Sequence, residues 1–185
     1  MVLAGGTARR MGGVDKALLE LDGVTLLERV LAATVSASEV VVVGDQRPVA
    51  RQVTWTREAP PRGGPAAGVL AALDRFALPP PDLVAVLAVD MPLLSAETVA
   101  RLVAAAQTEP GIDGAVLVDP GGRRQTLAAA YRLRALLAAA PRDPLERHGL
   151  PMRRLVQGLR LAEVPAVGDE ARDVDTWADL RDVRR

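Results

Sequence analysis

The most informative stretch of this sequence lies near its start and reads Leu3-Ala4-Gly5-Gly6-Thr7-Ala8-Arg9-Arg10-Met11-Gly12-Gly13-Val14-Asp15-Lys16. It combines four glycines with two adjacent arginines and with Lys16, the only lysine of the chain. Glycine lacks a Cβ, so backbone N–H groups can approach a phosphate closely. Arginine and lysine add positive charge, the first as a planar fork and the second as a point charge. The stretch therefore predicts a loop that binds a polyphosphate.

Two common glycine-rich phosphate loops do not fit this stretch. A P-loop ends in Gly-Lys-Ser/Thr, whereas this chain has Asp15-Lys16-Ala17. A dinucleotide-binding fingerprint needs Gly-x-Gly-x-x-Gly, and neither glycine pair begins one. The plain alternative is a glycine-rich turn whose charges are solvated.

The stretch resembles the N-terminal motif of the GT-A-like nucleotidyltransferases, roughly Leu-Ala-Gly-Gly-x-x-x-Arg-Met-Gly-x-x-Lys. Within that superfamily it is most similar to the molybdenum cofactor guanylyltransferases, in which Arg-Arg-Met-Gly-Gly-x-Asp-Lys is usual. The resemblance implies a three-layer, Rossmann-like α/β fold with a mostly parallel central sheet. It also implies an enzyme that transfers GMP from GTP to the molybdopterin cofactor and releases pyrophosphate.

Composition limits the remaining possibilities. A chain of 185 residues, about half of them apolar, predicts a single nucleotidyltransferase domain over residues 1–185. The formal net charge is zero, which gives no indication of a nucleic-acid or anionic-membrane partner. The absence of cysteine excludes disulfides, thiolate metal sites and a cysteine nucleophile. We recognise no signal peptide and no long apolar run, and therefore expect a soluble, cytoplasmic protein.

Short apolar runs alternate with helical patterns along the chain. Strands are predicted at 1–3, 39–43, 53–56, 83–89, 114–118, 125–132 and 159–164. Helices are predicted at 25–33, where Thr25 and Glu28 form a capping box, at 65–76, 95–107, 133–140 and 150–158, and from 177 onward. The alternation of strand and helix favours a parallel sheet with right-handed crossovers.

A second glycine-containing loop covers residues 60–68 and leads into a predicted helix. Pro65 suits the first helical position, because its missing N–H would be unpaired there. A helix N-terminus entered through glycines can bind an anion or a base edge, although an ordinary loop has the same composition. The resembled family has Gly-Pro-Leu/Ala-Ala-Gly at this place, which implies that Gly64 binds nucleotide and that Glu58 reads guanine.

Acidic residues stand at two further places of interest. Asp90 follows the apolar run 83–89, and open α/β sheets bind ligands beyond the carboxyl ends of their strands. A lone acid there also suits a turn, and Asp173 and Asp175 suit the cap of the last helix. The family has Asp-x-Pro at the first place and Asn-x-Asn-Thr-Pro or Asp-x-Asp-Thr-Pro at the second. The resemblance therefore implies that Asp90 and Asp175 hold Mg²⁺.

The resemblance assigns the remaining roles residue by residue. Arg10 and the loop amides would hold the β- and γ-phosphates, Lys16 would stabilise charge at the α-phosphate, and Asp90 would complete the catalytic set. The nucleotide-binding residues implied are Leu3, Ala4, Gly5, Gly6, Arg10, Lys16, Glu58, Gly64 and Asp90. The acceptor-binding residues implied are Arg124, Gln125 and Asp173, whose charges equally suit a solvated turn.

Two other functions stay open. A molybdopterin cytidylyltransferase or a sugar-phosphate nucleotidyltransferase is favoured by the acids Asp173 and Asp175, whereas residues 63–68 and Asp15-Lys16 favour guanylyl transfer. A non-catalytic nucleotide-binding module is the other alternative, and the presence of Lys16 and Asp90 argues against it. The expected partners are GTP and the molybdopterin cofactor, with transient contacts to cofactor-delivery proteins or molybdoenzymes.

Overall fold

A computed structural model describes residues 1–5, 11–59, 61–108 and 110–183. Its strands are β1 (Val2–Leu3), β2 (Glu20–Leu21), β3 (Val24–Thr25), β4 (Val41–Val43), β5 (Thr54–Thr56), β6 (Leu83–Ala88), β7 (Gly114–Val118), β8 (Arg124–Arg132) and β9 (Leu161–Pro165). Its α-helices are α1 (Leu26–Ala33), α2 (Gly64–Leu73), α3 (Ala96–Thr108), α4 (Leu133–Ala139), α5 (Met152–Leu155) and α6 (Trp177–Asp182). None of the helices in these ranges is both long and apolar enough to cross a membrane.

Seven of the strands form one central sheet in the order β5-β4-β1-β6-β8-β7-β9. Neighbouring strands are parallel except where β8 lies between β6 and β7, to both of which it is antiparallel. The predicted mostly parallel sheet is therefore confirmed. The strands β2 and β3 form a separate hairpin, and both residues of its Asp22-Gly23 turn have positive φ, as a type I′ turn requires.

Helices cover both faces of the sheet, which makes the three layers that the family resemblance implies. Successive strand residues point to opposite faces, so each strand contributes to two separate apolar clusters. One cluster joins Val2, Val42 and Leu87 of the sheet to α1, α3 and α6. The other joins Leu3, Val41 and Val86 to α2, α4 and α5. The run of valines in β4 is buried on both faces because helices pack on each side of it.

Most predicted elements agree with the structure apart from small shifts at their ends, and two predicted details differ more clearly. Thr25 caps α1 by accepting a hydrogen bond from the Glu28 backbone N–H at 3.2 Å, as predicted. The Glu28 carboxylate does not complete the capping box, because it accepts a hydrogen bond from the Ala50 N–H at 2.7 Å. The helix predicted over 150–158 is only Met152–Leu155, and a turn leads from it to β9.

Two glycines allow close packing around β1. A Cβ on Gly44, whose φ is 152°, would lie 3.2 Å from the carbonyl carbon of Ala4 and 3.3 Å from the nitrogen of Gly5. A Cβ on Gly68 in α2 would lie 3.2 Å from Val43 Cγ1. The end of β1 is therefore packed closely by backbone at Gly44 and by core side chains at Gly68.

We predict that Gly44→Ala lowers the free energy of unfolding by about 1–3 kcal/mol, because the added methyl group meets backbone atoms and alanine disfavours this φ. Denaturant titration followed by circular dichroism measures the change. Gly158→Ala is the matched control, since a Cβ there meets nothing within 4 Å. Equal stabilities of the two variants would show that the end of β1 has more room than the structure indicates.

Candidate active site

The carboxyl ends of β1, β4 and β6 meet at one edge of the sheet, because these strands are parallel. The Ala4 N–H donates to the Val43 carbonyl at 2.8 Å, and the Val89 N–H donates to the Leu3 carbonyl at 3.0 Å. The Leu3 side chain lies in the core, so Leu3 can offer a ligand only its backbone. Gly5 is exposed at this edge.

Lys16 places its ammonium group between two carboxylates at this edge. It begins a short 3-10 helix, Lys16–Leu18, and its Nζ lies 2.6 Å from Asp175 Oδ1 and 3.6 Å from Asp90 Oδ2. Only 12% of the Lys16 side chain is exposed, against 34% for Asp90 and 43% for Asp175. The fold thus brings together three residues that lie far apart in the sequence.

Asp90 lies in a setting that disfavours its negative charge. Burial raises the pKa of Asp90 above its ordinary value, and the neighbouring carboxylates of Asp175 and Asp173 raise this pKa further. The Lys16 ammonium acts in the opposite direction but does not cancel the effect. A carboxylate in this position is stabilised by any additional cation, so Asp90 and Asp175 suit a divalent metal ion.

The Asp175 segment is held beside Asp90 by its backbone. The Val174 N–H donates to the Asp90 carbonyl at 2.7 Å, and the Val174 side chain is fully buried. The N-cap of α6 is Thr176, which forms a capping box with Asp179. Because Thr176 takes the capping role, the Asp175 carboxylate is directed to Lys16 instead. Asp173 remains exposed at the rim of the site.

The buried carboxylate of Glu170 fixes the loop that precedes Asp175 to α3. Glu170 accepts hydrogen bonds from Thr98, from Arg101 and from the Val167 N–H, the last at 2.8 Å. Burial alone would raise the pKa of Glu170, but these hydrogen bonds outweigh it and hold the pKa below its ordinary value. Sequence reasoning missed this contact, because its partners lie about seventy residues apart and match no motif.

The loop that is predicted to read the base is stabilised by a hydrogen bond to the carboxylate of Glu58, which lies in the same loop. Glu58 Oε1 accepts a hydrogen bond from the Arg62 N–H at 2.9 Å. The following helix α2 begins at Gly64, and its N-cap Gly63 makes no side-chain capping bond. The Gly149 N–H donates to the Gly63 carbonyl at 2.8 Å, so a second loop supports this turn. The N–H groups in the first turn of α2 have no intrahelical partners.

The predicted acceptor residues lie further along the same edge. Arg124 and Gln125 begin β8 and pair in register with Val118 and Leu117. Arg124 Nε donates to Glu163 at 2.8 Å, and Gln125 Nε2 donates to Asp119 at 3.0 Å. Their side chains therefore have local partners, and their role toward an acceptor stays a prediction.

Two predicted phosphate ligands, Gly6 and Arg10, lie outside the described residues. Among the residues that are described, no group of three or more acidic or histidine side chains is arranged to hold a metal ion unaided. Mg²⁺ commonly uses only one or two carboxylates and takes its other ligands from water and substrate phosphates. The donor set of Asp90 and Asp175 fits that mode of binding.

Comparison with known proteins identifies relatives along most of the chain. A family model described as the MobA-like NTP transferase domain matches residues 1–164. A probable molybdenum cofactor guanylyltransferase from Opitutus terrae is 39% identical over 178 residues, which cover 92% of this chain and 85% of that protein. A molybdenum cofactor guanylyltransferase from Cupriavidus taiwanensis is 34% identical over 133 residues, which cover 68% of this chain and 65% of that protein.

Solved structures share the fold. Molybdopterin-guanine dinucleotide biosynthesis protein A from Archaeoglobus fulgidus superposes with a TM-score of 0.73 at 23% identity, covering 99% of this chain and 95% of that one. The 2-C-methyl-D-erythritol 4-phosphate cytidylyltransferase from Thermus thermophilus superposes with a TM-score of 0.65 at 24% identity, covering 99% and 96%. The three-layer architecture described above is thus that of known nucleotidyltransferases.

We predict that Glu170→Gln lowers the free energy of unfolding by about 1–3 kcal/mol at pH 7, because the Arg101 guanidinium loses its anionic partner. The folded-state pKa of Glu170 lies below the ordinary value of 4.5, so its stabilisation is complete above that pH and is lost as the pH falls through the folded value. Denaturant titrations between about pH 7 and pH 3 measure the difference in the free energy of unfolding between Glu170→Gln and the wild-type chain. This difference should shrink only at the acid end of the range.

Asp169→Asn is the matched control for this measurement. Asp169 is the exposed neighbour of Glu170, and its substitution should change stability by less than about 0.5 kcal/mol at every pH. A Glu170→Gln penalty that persists unchanged at low pH would contradict the ionic latch.

Proposed function

The chain belongs to the MobA-like NTP transferase family, and from this premise we propose that it transfers GMP from GTP to the molybdopterin cofactor and releases pyrophosphate. The observation that carries the proposal is the Lys16–Asp175–Asp90 cluster at the carboxyl edge of the sheet. Two relatives named molybdenum cofactor guanylyltransferase support the choice of reaction.

The proposed reaction is an in-line displacement. A terminal phosphate oxygen of the acceptor attacks the α-phosphorus of GTP, the bond from that phosphorus to the bridging oxygen of the β-phosphate breaks, and pyrophosphate leaves. Transfers of this kind depend on positioning and on neutralisation of charge. Lys16 supplies a cation that is largely shielded from water, where its field is stronger than in bulk solvent.

The ion cluster explains how Lys16 would act. Without a ligand, its ammonium neutralises Asp175 and approaches Asp90. A bound triphosphate would offer Lys16 a new anionic partner close to the strand end from which the glycine loop leaves. Asp90 and Asp175 would then hold Mg²⁺, which, when bound, neutralises phosphate charge. Arg10, by family analogy, would bind the outer phosphates.

Base selection is assigned to the loop that runs from Glu58 to Gly64. One carboxylate oxygen of Glu58 accepts from the Arg62 N–H, and the other would accept from the base. The N-terminal N–H groups of α2 are donors. Guanine offers N–H donors at N1 and N2 and an acceptor at O6, so it matches both kinds of partner, whereas neutral cytosine has no ring N–H donor.

Cytidylyl transfer is the second candidate function. Asp173 and Asp175 favour it, because guanylyltransferases often have asparagines at these positions. These acids lie beside Lys16 and Asp90, however, where the metal and the phosphates would bind, and we assign base reading to a different loop. We therefore keep guanine as the proposed base.

We further infer that the chain acts as a single domain. The family model ends at residue 164, yet Asp175 lies beyond that point and pairs with Lys16 near the start of the chain.

A formal net charge of zero gives no indication of a nucleic-acid partner. We expect contacts with cofactor-delivery proteins or molybdoenzymes to be transient.

The base preference is tested with a panel of the four nucleoside triphosphates and molybdopterin as acceptor, with pyrophosphate release as the measurement. We expect GTP to exceed CTP and ATP in kcat/KM by about tenfold to a hundredfold, because an unsuitable base leaves a polar group of the loop unpaired. Reactions that lack the molybdopterin acceptor measure the pyrophosphate released by hydrolysis of the nucleotide, and this background is subtracted. Preference for CTP would contradict guanylyl transfer, and turnover with a sugar phosphate alone would contradict the molybdopterin assignment.

We predict that Lys16→Met lowers the rate of transfer by about 10²–10³-fold, because it removes a preorganised charge at the reacting phosphate while keeping the apolar stem. Arg154→Met is the matched control, since Arg154 lies exposed on α5 and, within the described part of the chain, its side chain donates only to nearby Gln157. Circular dichroism confirms that each variant is folded at the assay temperature. Near-normal turnover of the folded Lys16→Met variant would reject the role of Lys16.

A further inference from the structure

We propose that Arg47 is a positioning residue for Lys16 and that it acts through Asp15. The inference rests on the proposed function, because it takes Lys16 to be the cation that stabilises the reacting phosphate. It assigns a role to a residue on a different loop, 32 positions from Asp15, that has no place in the glycine-rich motif.

Arg47 binds Asp15 with one edge of its guanidinium group. Its Nε donates to Asp15 Oδ2 at 2.5 Å, and one terminal nitrogen contacts the same oxygen. The other terminal nitrogen donates to the backbone carbonyl of Asp45. Only 11% of the Arg47 side chain is exposed. Arg47 thus ties Asp15 to the segment that follows β4, and every nitrogen of its guanidinium is engaged within the protein.

Asp15 uses its second oxygen to start the turn that carries Lys16. Asp15 Oδ1 accepts a hydrogen bond from the Ala17 N–H at 3.1 Å, and Asp15 is the N-cap of the 3-10 helix Lys16–Leu18. The Asp15 carbonyl also accepts from the Leu18 N–H at 3.1 Å. Lys16 therefore stands between a clamped residue and Ala17, which is fully buried in the core.

The two glycines just before Asp15 supply little of this anchoring, although Met11 ahead of them is buried. Gly12 and Gly13 are exposed, have φ of 76° and 78°, and have no neighbouring atom within 4 Å of an ideal Cβ position. Asp15 is therefore the anchor between the loosely packed glycine turn and Lys16. With its backbone fixed, Lys16 can direct its ammonium group either to Asp175 or to a phosphate bound at the same edge.

Because Lys16 is the only lysine, its position can be measured without any enzymatic assay. Its amine is largely buried and paired with Asp175, so reaction with an acylating reagent should be slow in the wild-type chain. We expect Arg47→Met to raise the rate of acylation of Lys16 several-fold, measured by mass spectrometry of the Lys16 peptide. An unchanged rate in folded Arg47→Met would overturn the inference.

Kinetics of the same variants separate positioning from direct binding. Arg47→Met should lower kcat by about tenfold to a hundredfold with little change in the KM for GTP, since a displacement of about 1 Å costs that much. Asp15→Asn should have a similar effect, and the double variant should be no worse than either single one, because both act through one contact. Additive losses, or a loss mainly in KM, would indicate direct contact with substrate and reject the inference.

Arg57→Met is the matched control. Arg57 also pairs with Asp45, but it is 60% exposed and does not contact Asp15. It should keep wild-type kinetics and wild-type acylation. Arg47→Lys should recover part of kcat, and it replaces Arg47→Met if the latter fails to fold. If no variant and no wild-type sample transfers GMP, the proposed function fails, whereas the acylation rates still decide the inference.

Discussion

The ion pair between Lys16 and Asp175 is the interaction around which this structure is arranged. Its two residues come from opposite ends of the chain and meet above Asp90, at the carboxyl edge of β6. The Lys16 ammonium is largely shielded from water, and an unpaired buried charge is costly, so the cluster is stable only if the partners of Lys16 are fixed. The chain accordingly holds both members of the pair through neighbouring residues.

Each member of the pair is supported by a separate arginine–carboxylate contact. Arg47 clamps Asp15 beside Lys16, whereas Arg101 binds Glu170 in the loop that leads to Asp175. In each contact at least one of the two side chains is largely buried. Each contact is therefore screened less by solvent than a surface salt bridge. The two clamps explain how residues on loops keep a defined geometry at the edge of a rigid sheet.

The order of the strands determines which groups share this edge. β1 lies between β4 and β6, all three parallel, so the chain leaves β1 beside the carboxyl ends of both neighbours. Gly44 and Gly68 permit β4 and α2 to approach that strand end closely. A nucleotide bound there would face the backbone of the strand end, Lys16 and the two carboxylates at once.

Apolar periodicity and the glycine-rich motif are local signals, so the sequence alone indicated an α/β fold with a parallel sheet, a phosphate loop that contains Lys16 and an acid, Asp90, at a strand end. The three layers and the choice of Asp90 and Asp175 as metal ligands came from the family resemblance. Three-dimensional packing, by contrast, sets Thr176, and not a neighbouring acid, as the cap of α6, and places Arg47 and Glu170 where they support the site. These contacts join distant segments, and their geometry follows from how the strands pack. No pattern of neighbouring residues specifies it.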